Sequence, residues 1–161
     1  MTLARVGTGF DAHRLVEGRP LVLGGVRIDH RRGLEGHSDG DCLLHAVCDA
    51  VLGALGAGDM GRQFPSADAR WKDAPSATFL EATAQIMAQA GYALGNLDAT
   101  VIAQAPPLAP HLPAMRARIA QALGAPLDAV SVKAKSTDGL GAIGRGEGMA
   151  AQAVVLLRPL G

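Results

Sequence analysis

Residues 37–49 read HSDGDCLLHAVCD, with His37 and His45 set among Asp39, Asp41 and Asp49. Ser38 followed by Asp41 fits an S-x-x-D capping box, which predicts a helix starting near Asp39. Leu44, Val47, Cys48, Val51, Leu52 and Leu55 recur at the spacing of one helix face. On such a helix Asp41, His45 and Asp49 lie four apart and share a face, with His45 on the flank of the apolar stripe. Free N–H groups at the helix start, near His37 and Ser38, suit an anion such as phosphate. The plainer alternative is that Asp39 and Asp41 are first-turn acids complementing the helix dipole and that His45 is a hydrogen-bonded core histidine.

Working outward, Arg5–Arg14 (RVGTGFDAHR) predicts a strand with glycines at close approaches, and residues 20–28 (PLVLGGVRI) predict a hairpin about Gly24-Gly25. Asp11 and His13 are two apart and so point to one face of their strand. Beyond the central helix lies a polar loop, residues 59–72. A second helix over Ala77–Ala90 is stopped by Gly91, and a third over Pro110–Leu123 by Gly124. Strands are predicted at Leu97–Gln104, Ala129–Lys135 and Met149–Leu157. With no linker, repeat or low-complexity tract, residues 1–161 read as one domain. The fold class is α/β (an α+β sandwich): a mixed sheet of four to five strands, helices on one face, and a small N-terminal hairpin.

Composition narrows the function. Fifteen basic residues balance fifteen acidic ones, so there is no electrostatic case for a nucleic-acid or anionic-membrane partner, and phosphate binding must be local. Apolar residues make up 48% but aromatics only 3%, which makes a core of Ala, Val, Leu and Ile. No apolar run approaches the roughly 18 residues of a membrane span, and no signal-peptide pattern opens the chain. Cys42 and Cys48, six apart on the predicted helix, are about 9 Å apart at Cα, beyond disulfide reach. A reduced, cytoplasmic protein is expected.

Asp11, His13 and His45 together offer one carboxylate and two imidazoles. That set suits a catalytic zinc with an open fourth position, and equally a non-haem iron triad; separately, Asp11 and His13 read as well as surface residues. Gly139-x-Gly141-x-x-Gly144 matches a dinucleotide fingerprint only formally, since no helix follows it. Lys133, Lys135, Ser136 and Thr137 offer donors to a phosphate or form a solvated strand end. Residues 103–110 (AQAPPLAP) form a rigid extended loop or present backbone groups to a base.

The ordered set Gly9-Phe-Asp-Ala-His13, Leu23-Gly-Gly-Val-Arg-Ile28, Gly36-His-Ser-Asp-Gly-Asp41 with His45, Gly58-Asp-Met-Gly61, Phe64-Pro65, Ala103-Gln-Ala-Pro106, Pro110-His111, Lys133-Ala134 and Gly144-Arg-Gly-Glu-Gly148 resembles the 2-C-methyl-D-erythritol 2,4-cyclodiphosphate synthase family over nearly the whole chain. The resemblance implies a homotrimer with active sites between subunits. It implies cyclisation of 4-diphosphocytidyl-2-C-methyl-D-erythritol 2-phosphate with release of CMP, a phosphorus–oxygen lyase reaction. A zinc-dependent phosphohydrolase is the alternative enzyme. A non-catalytic trimer binding isoprenoid diphosphates in an axial channel is the rival of another class.

By the same resemblance Asp11, His13 and His45 are zinc ligands, and His37 and Ser136 stabilise the transition state. Ser38 stands beside His37. Asp59 and Gly61 hold ribose from the adjacent subunit, the backbone from Ala103 through Ala105, Pro106 and Leu108 to Ala109 reads cytosine, and Phe64 to Asp68 line the erythritol-phosphate side. Lys135 and Thr137 fall in the substrate-binding segment, and Arg145 with Glu147 lies near the channel mouth. The chain departs from the family in four places. Asp138 stands for the usual glutamate ligand of a second ion, magnesium or manganese. Lys135 replaces a threonine and Ser66 an aspartate, and Ala142 replaces an aromatic, which widens the axial channel.

Overall fold

The computed structural model describes residues 3–161, so the first two residues of the predicted 1–161 domain lie outside it. Seven strands form, β1 (Arg5–Glu17), β2 (Leu21–Leu23), β3 (Val26–Ile28), β4 (Arg32–Leu34), β5 (Tyr92–Ile102), β6 (Val130–Lys135) and β7 (Gly148–Pro159). Five make one mixed sheet in the order β4-β1-β7-β5-β6, antiparallel throughout except for the parallel pair β5/β6. β2 and β3 pair separately across Gly24-Gly25. The helices are α1 (Cys42–Leu55), α2 (Met60–Gln63), α3 (Ser76–Gln89), α4 (Leu112–Ala122) and α5 (Gly141–Gly144). None is long and apolar enough to cross a membrane.

The period-two alternation of the strands decides which face the helices cover. Odd-numbered positions of β7 (Met149, Ala151, Ala153, Val155, Leu157) and β5 (Leu97, Ala99, Val101) are buried beneath the helices. In β1 the same row begins Gly7, Gly9. A Cβ at Gly7 would overlap the Ala50 carbonyl oxygen, and one at Gly9 that of Ala46. Here glycine is required: α1 lies directly on the backbone of β1, with Ala46, Ala50 and Ala54 presenting its smallest side chains. The opposite face leaves Val6, Phe10, Val154 and Leu156 exposed.

Three local expectations need correction. α1 begins at Cys42, not near Asp39, because Gly40 turns the chain in the left-handed region (φ 71°) just before it. Asp41 is itself the N-cap, accepting from Leu44 N at 3.0 Å, so the Ser38/Asp41 capping box does not form. The polar loop 59–72 contains α2 and a 3-10 turn at Ala69–Trp71. The short β4 and the one-turn α5 went unforeseen, although the Gly139–Gly144 segment does lead into a strand rather than a nucleotide-binding helix.

Candidate metal centre

Continuing the helix-facing row of β1 past Gly9 brings Asp11 and then His13 under the first turns of α1, where His45 projects towards them. Asp11 Oδ2 lies 2.8 Å from His13 Nε2 and 2.9 Å from His45 Nδ1, and the two ring nitrogens are 3.3 Å apart. Among the described residues this is the one group of three or more His, Cys, Asp or Glu side chains whose donor atoms converge as a metal ion requires. All three are half-buried. Burial alone would raise the Asp11 carboxyl, but hydrogen bonds from His13 and His45 outweigh it and hold the group down at about 2. The Asp11 hydrogen bond raises His13 in turn. One oxygen and two imidazole nitrogens in this arrangement fit a divalent transition metal such as zinc.

The trio forms one wall of a cavity of about 450 Å³. Its other walls include His37, Ser38, Asp49, Gly61 and an aromatic cluster of Phe64, Trp71 and Phe79 with ring centroids 4.9 to 5.8 Å apart. Arg19 places the His37 loop by donating to the carbonyls of Gly36 (3.2 Å) and Ser38 (2.5 Å). Asp49 on α1 accepts from Met60 N at 2.9 Å and so pins α2 beside the cavity. Gly61 therefore lines the cavity beside the trio of its own chain. Asp59 caps α2 through Arg62 N.

Other predicted residues sit elsewhere. Asp41 turns away from His45 and Asp49. It is fully buried, accepts from Gly24 N (3.0 Å) and Gly25 N (2.8 Å), and locks the hairpin to α1; burial pushes its carboxyl up to about 6. This carboxylate takes the Leu44 N–H at the start of α1. Asp68 pairs with Arg70 at 2.6 Å, outside the cavity wall formed by its neighbours Ser66 and Ala67.

The residues expected to read cytosine and hold the second ion gather at the ends of β5 and β6. Ala103 N donates to Lys135 O, Ser136 Oγ donates to Asp138 Oδ1 at 3.0 Å, and Gly139 N donates to Gln104 Oε1 at 3.0 Å. Ala103 and Leu108 are buried, whereas Ala105, Lys135, Ser136 and Asp138 are exposed and Pro106 and Thr137 half-exposed. Asp138 holds a left-handed backbone (φ 51°), which aspartate tolerates better than most residues. The register Asp11↔Ala151↔Val101↔Ala134 puts this cluster at the same end of the sheet as the trio but three strand spacings away, about 14 Å. None of these residues lines the trio's cavity. Arg145 pairs with Glu147 at 3.1 Å, and Glu147 lines a separate hollow with Ala12, Arg14 and Ala142.

Sequence reasoning missed Trp71, Phe79 and Ser76. The aromatics carried no signal beyond hydrophobicity. Ser76 Oγ lies 2.8 Å from His45 Nε2, yet a lone serine after Pro75 at a helix start looks like an ordinary cap.

Comparison with known proteins places this geometry in context. A family model described as the YgbB family matches residues 4–158. A curated 2-C-methyl-D-erythritol 2,4-cyclodiphosphate synthase from Salinibacter ruber is 56% identical over 96% of this chain and 98% of its own. A solved 2C-methyl-D-erythritol-2,4-cyclodiphosphate synthase in a CDP-bound form superposes with a TM-score of 0.89 at 37% identity, covering 96% of this chain and all of that one. A bifunctional protein from Campylobacter jejuni superposes at a TM-score of 0.88 and 42% identity; the match covers 98% of this chain and 42% of that longer one.

Proposed function

The chain belongs to the YgbB family, and on that premise we propose that it converts 4-diphosphocytidyl-2-C-methyl-D-erythritol 2-phosphate into the 2,4-cyclodiphosphate and CMP. An oxygen of the substrate's 2-phosphate attacks the β-phosphorus. The bond from that phosphorus to the oxygen bridging it to the α-phosphate breaks, and CMP departs with the electron pair. No water is consumed and no protein nucleophile is needed, which makes the enzyme a phosphorus–oxygen lyase. The work left to the protein is to fold the substrate and to neutralise charge.

The observation that carries this reading is the convergence of Asp11, His13 and His45 on the wall of a cavity wide enough for a sugar phosphate. These three would hold zinc, which when bound supplies Lewis-acid charge to the diphosphate. His37, on its Arg19-braced loop, donates to the oxygens that gain charge, and Ser38 stands beside it. Phe64, Trp71 and Phe79 exclude water on the side taking the methylerythritol. Gly61 and Asp59 hold the ribose.

Ser136, Lys135, Thr137 and a second divalent ion at Asp138, magnesium or manganese, complete the site, with cytosine read by the backbone between Ala103 and Ala109. Because that cluster lies about 14 Å from the trio of its own chain, we propose that it serves the trio of a neighbouring subunit in a homotrimer. The uncovered sheet face bearing Val6, Phe10, Val154 and Leu156 supports assembly through that face, where an axial channel with Arg145 at its mouth would accept an isoprenoid diphosphate. Two buried free thiols, Cys42 and Cys48, suit a reducing cytoplasm.

The test is phosphorus NMR of the protein with the cytidine-diphosphate substrate, magnesium and trace zinc. Equal amounts of CMP and a cyclic diphosphate are expected. Inorganic or linear phosphate would replace this reading with a metal-dependent phosphohydrolase.

A further inference from the structure

We infer that Ser76 is a positioning residue for the metal centre, joining Asp39 to His45 in a relay that fixes the tautomer and orientation of the His45 ring. The inference rests on Asp11, His13 and His45 being metal ligands. Ser76 opens α3 and is fully buried, although a serine in the first turn of a helix is more often at the surface serving that helix's own N–H groups. Its hydroxyl turns instead into the space behind His45. Ser76 Oγ contacts Asp39 Oδ1, Ser76 N donates to Asp39 Oδ2 at 3.0 Å, and Ser76 Oγ stands 2.8 Å from His45 Nε2. Ser76 is absent from the wall of the substrate cavity, so it acts through His45 and not on substrate.

The direction of each hydrogen bond follows from counting protons. A carboxylate has no proton to give, and Asp39 already accepts from Ser76 N and, at 3.1 Å, from Asp41 N. The single hydroxyl proton of Ser76 therefore goes to Asp39. What remains for His45 is an oxygen lone pair, which accepts only if Nε2 carries hydrogen. Nδ1 is the atom that faces Asp11 Oδ2 and His13 Nε2, so hydrogen held on Nε2 leaves Nδ1 as the nitrogen that meets a metal ion. The relay thus makes Nδ1 the ligating nitrogen and aims it at the other two ligands. A histidine ligand whose far nitrogen is anchored in this way typically gains about 10- to 100-fold in metal affinity. Ser38 Oγ, 3.3 Å from Ser76 Oγ and 3.4 Å from His45 Nε2, ties the His37 loop to the same relay.

Two measurements on the full-length protein test this. The first is zinc affinity by competition with a chromogenic chelator for the wild type, Ser76→Ala and Asp39→Asn, with folding checked by thermal unfolding. Ser76→Ala should bind zinc about 10- to 100-fold more weakly and Asp39→Asn should lose less; wild-type affinity in a folded Ser76→Ala would overturn the relay. The second is the nitrogen-15 spectrum of the His45 ring in the metal-free wild-type protein, which needs no variant to fold. Hydrogen on Nε2 is expected in the wild type, and Ser76→Ala should lose it; a bare Nε2 in the wild type would overturn the relay. If the wild type binds no zinc, the ligand assignment falls along with the relay. If it binds zinc but the ring is in the other tautomer, only the relay falls.

Discussion

The two ends of the sheet edge that carry the candidate chemistry are built in opposite ways. Around β1 and α1, each ligand of the trio is within hydrogen-bond reach of the others, His45 is backed by Ser76, and the His37 loop is braced by Arg19. At the ends of β5 and β6, Lys135, Ser136 and Asp138 are exposed, with Ser136 and Asp138 bonded chiefly to each other. A preorganised half is one a chain completes for itself, since its polar groups find partners at home. Under the proposed trimer, the open half keeps its donors and acceptors for groups that arrive from outside. The contrast is what a site divided between subunits requires.

The largest effect should come from breaking the closed half. His45→Ala is expected to lose bound zinc and to lower CMP release by about 10³-fold, since several kcal/mol of charge stabilisation go with the ion. The assembly should stay intact, as metal analysis beside size-exclusion chromatography would reveal; a monomeric or unfolded variant would make the site structural instead. Next is the floor beneath it. Gly9→Ala sets a methyl group against the Ala46 carbonyl and must lift α1 from β1. We expect a loss of about 3 kcal/mol in denaturant unfolding, with zinc binding weakened because His45 rides on the displaced helix. An unchanged midpoint would mean that the helix–strand contact is looser than the glycine row implies.

Much of the closed half was legible because its geometry is periodic. Gly7, Gly9, Asp11 and His13 occupy every second position of one strand, so any reading that puts the glycines under a helix also puts the ligands there. His45 followed from the apolar stripe of α1. The rest was hidden by short-range ambiguity. Asp41 fits a capping box in sequence, and only the left-handed turn at Gly40 makes it the cap itself. Ser76 is separated from Asp39 by 37 residues, and no local pattern announces that α3 will carry it to His45. The three-residue β4 is too short to display an alternation. The exposed half was legible in another sense: Lys135, Ser136 and Thr137 read equally as phosphate donors or a solvated strand end, and the family resemblance alone chose between these and added Asp138.

Smaller effects sharpen the contrast. Asp138→Ala should raise the magnesium or manganese needed for half-maximal rate roughly tenfold, because a carboxylate ligand is lost, while zinc content stays at the wild-type level. An unchanged metal titration would remove Asp138 from the site. The last effect is confined to a narrow pH range. Burial raises Asp41 from 3.8 to about 6, so the folded protein holds this proton more tightly than the unfolded chain. Stability should therefore be greatest below the unfolded value near 4, fall as pH rises towards 6, and level off above it. Asp41→Asn should flatten that fall in unfolding curves taken from pH 4 to 7; a slope like that of the wild type would assign the proton to another group.

The division of the site between subunits is tested most directly by mixing two crippled proteins. His45→Ala lacks the closed half, and the double variant Ser136→Ala/Asp138→Ala lacks the open half. Co-expressed with different affinity tags and purified through both, they should form mixed trimers in which about one site in three pairs two intact halves. CMP release should then recover to about a third of the wild-type rate per site, although each parent alone is nearly inactive. Mixed trimers no more active than their parents would mean that both halves serve one chain, and the proposed division of the site would be wrong.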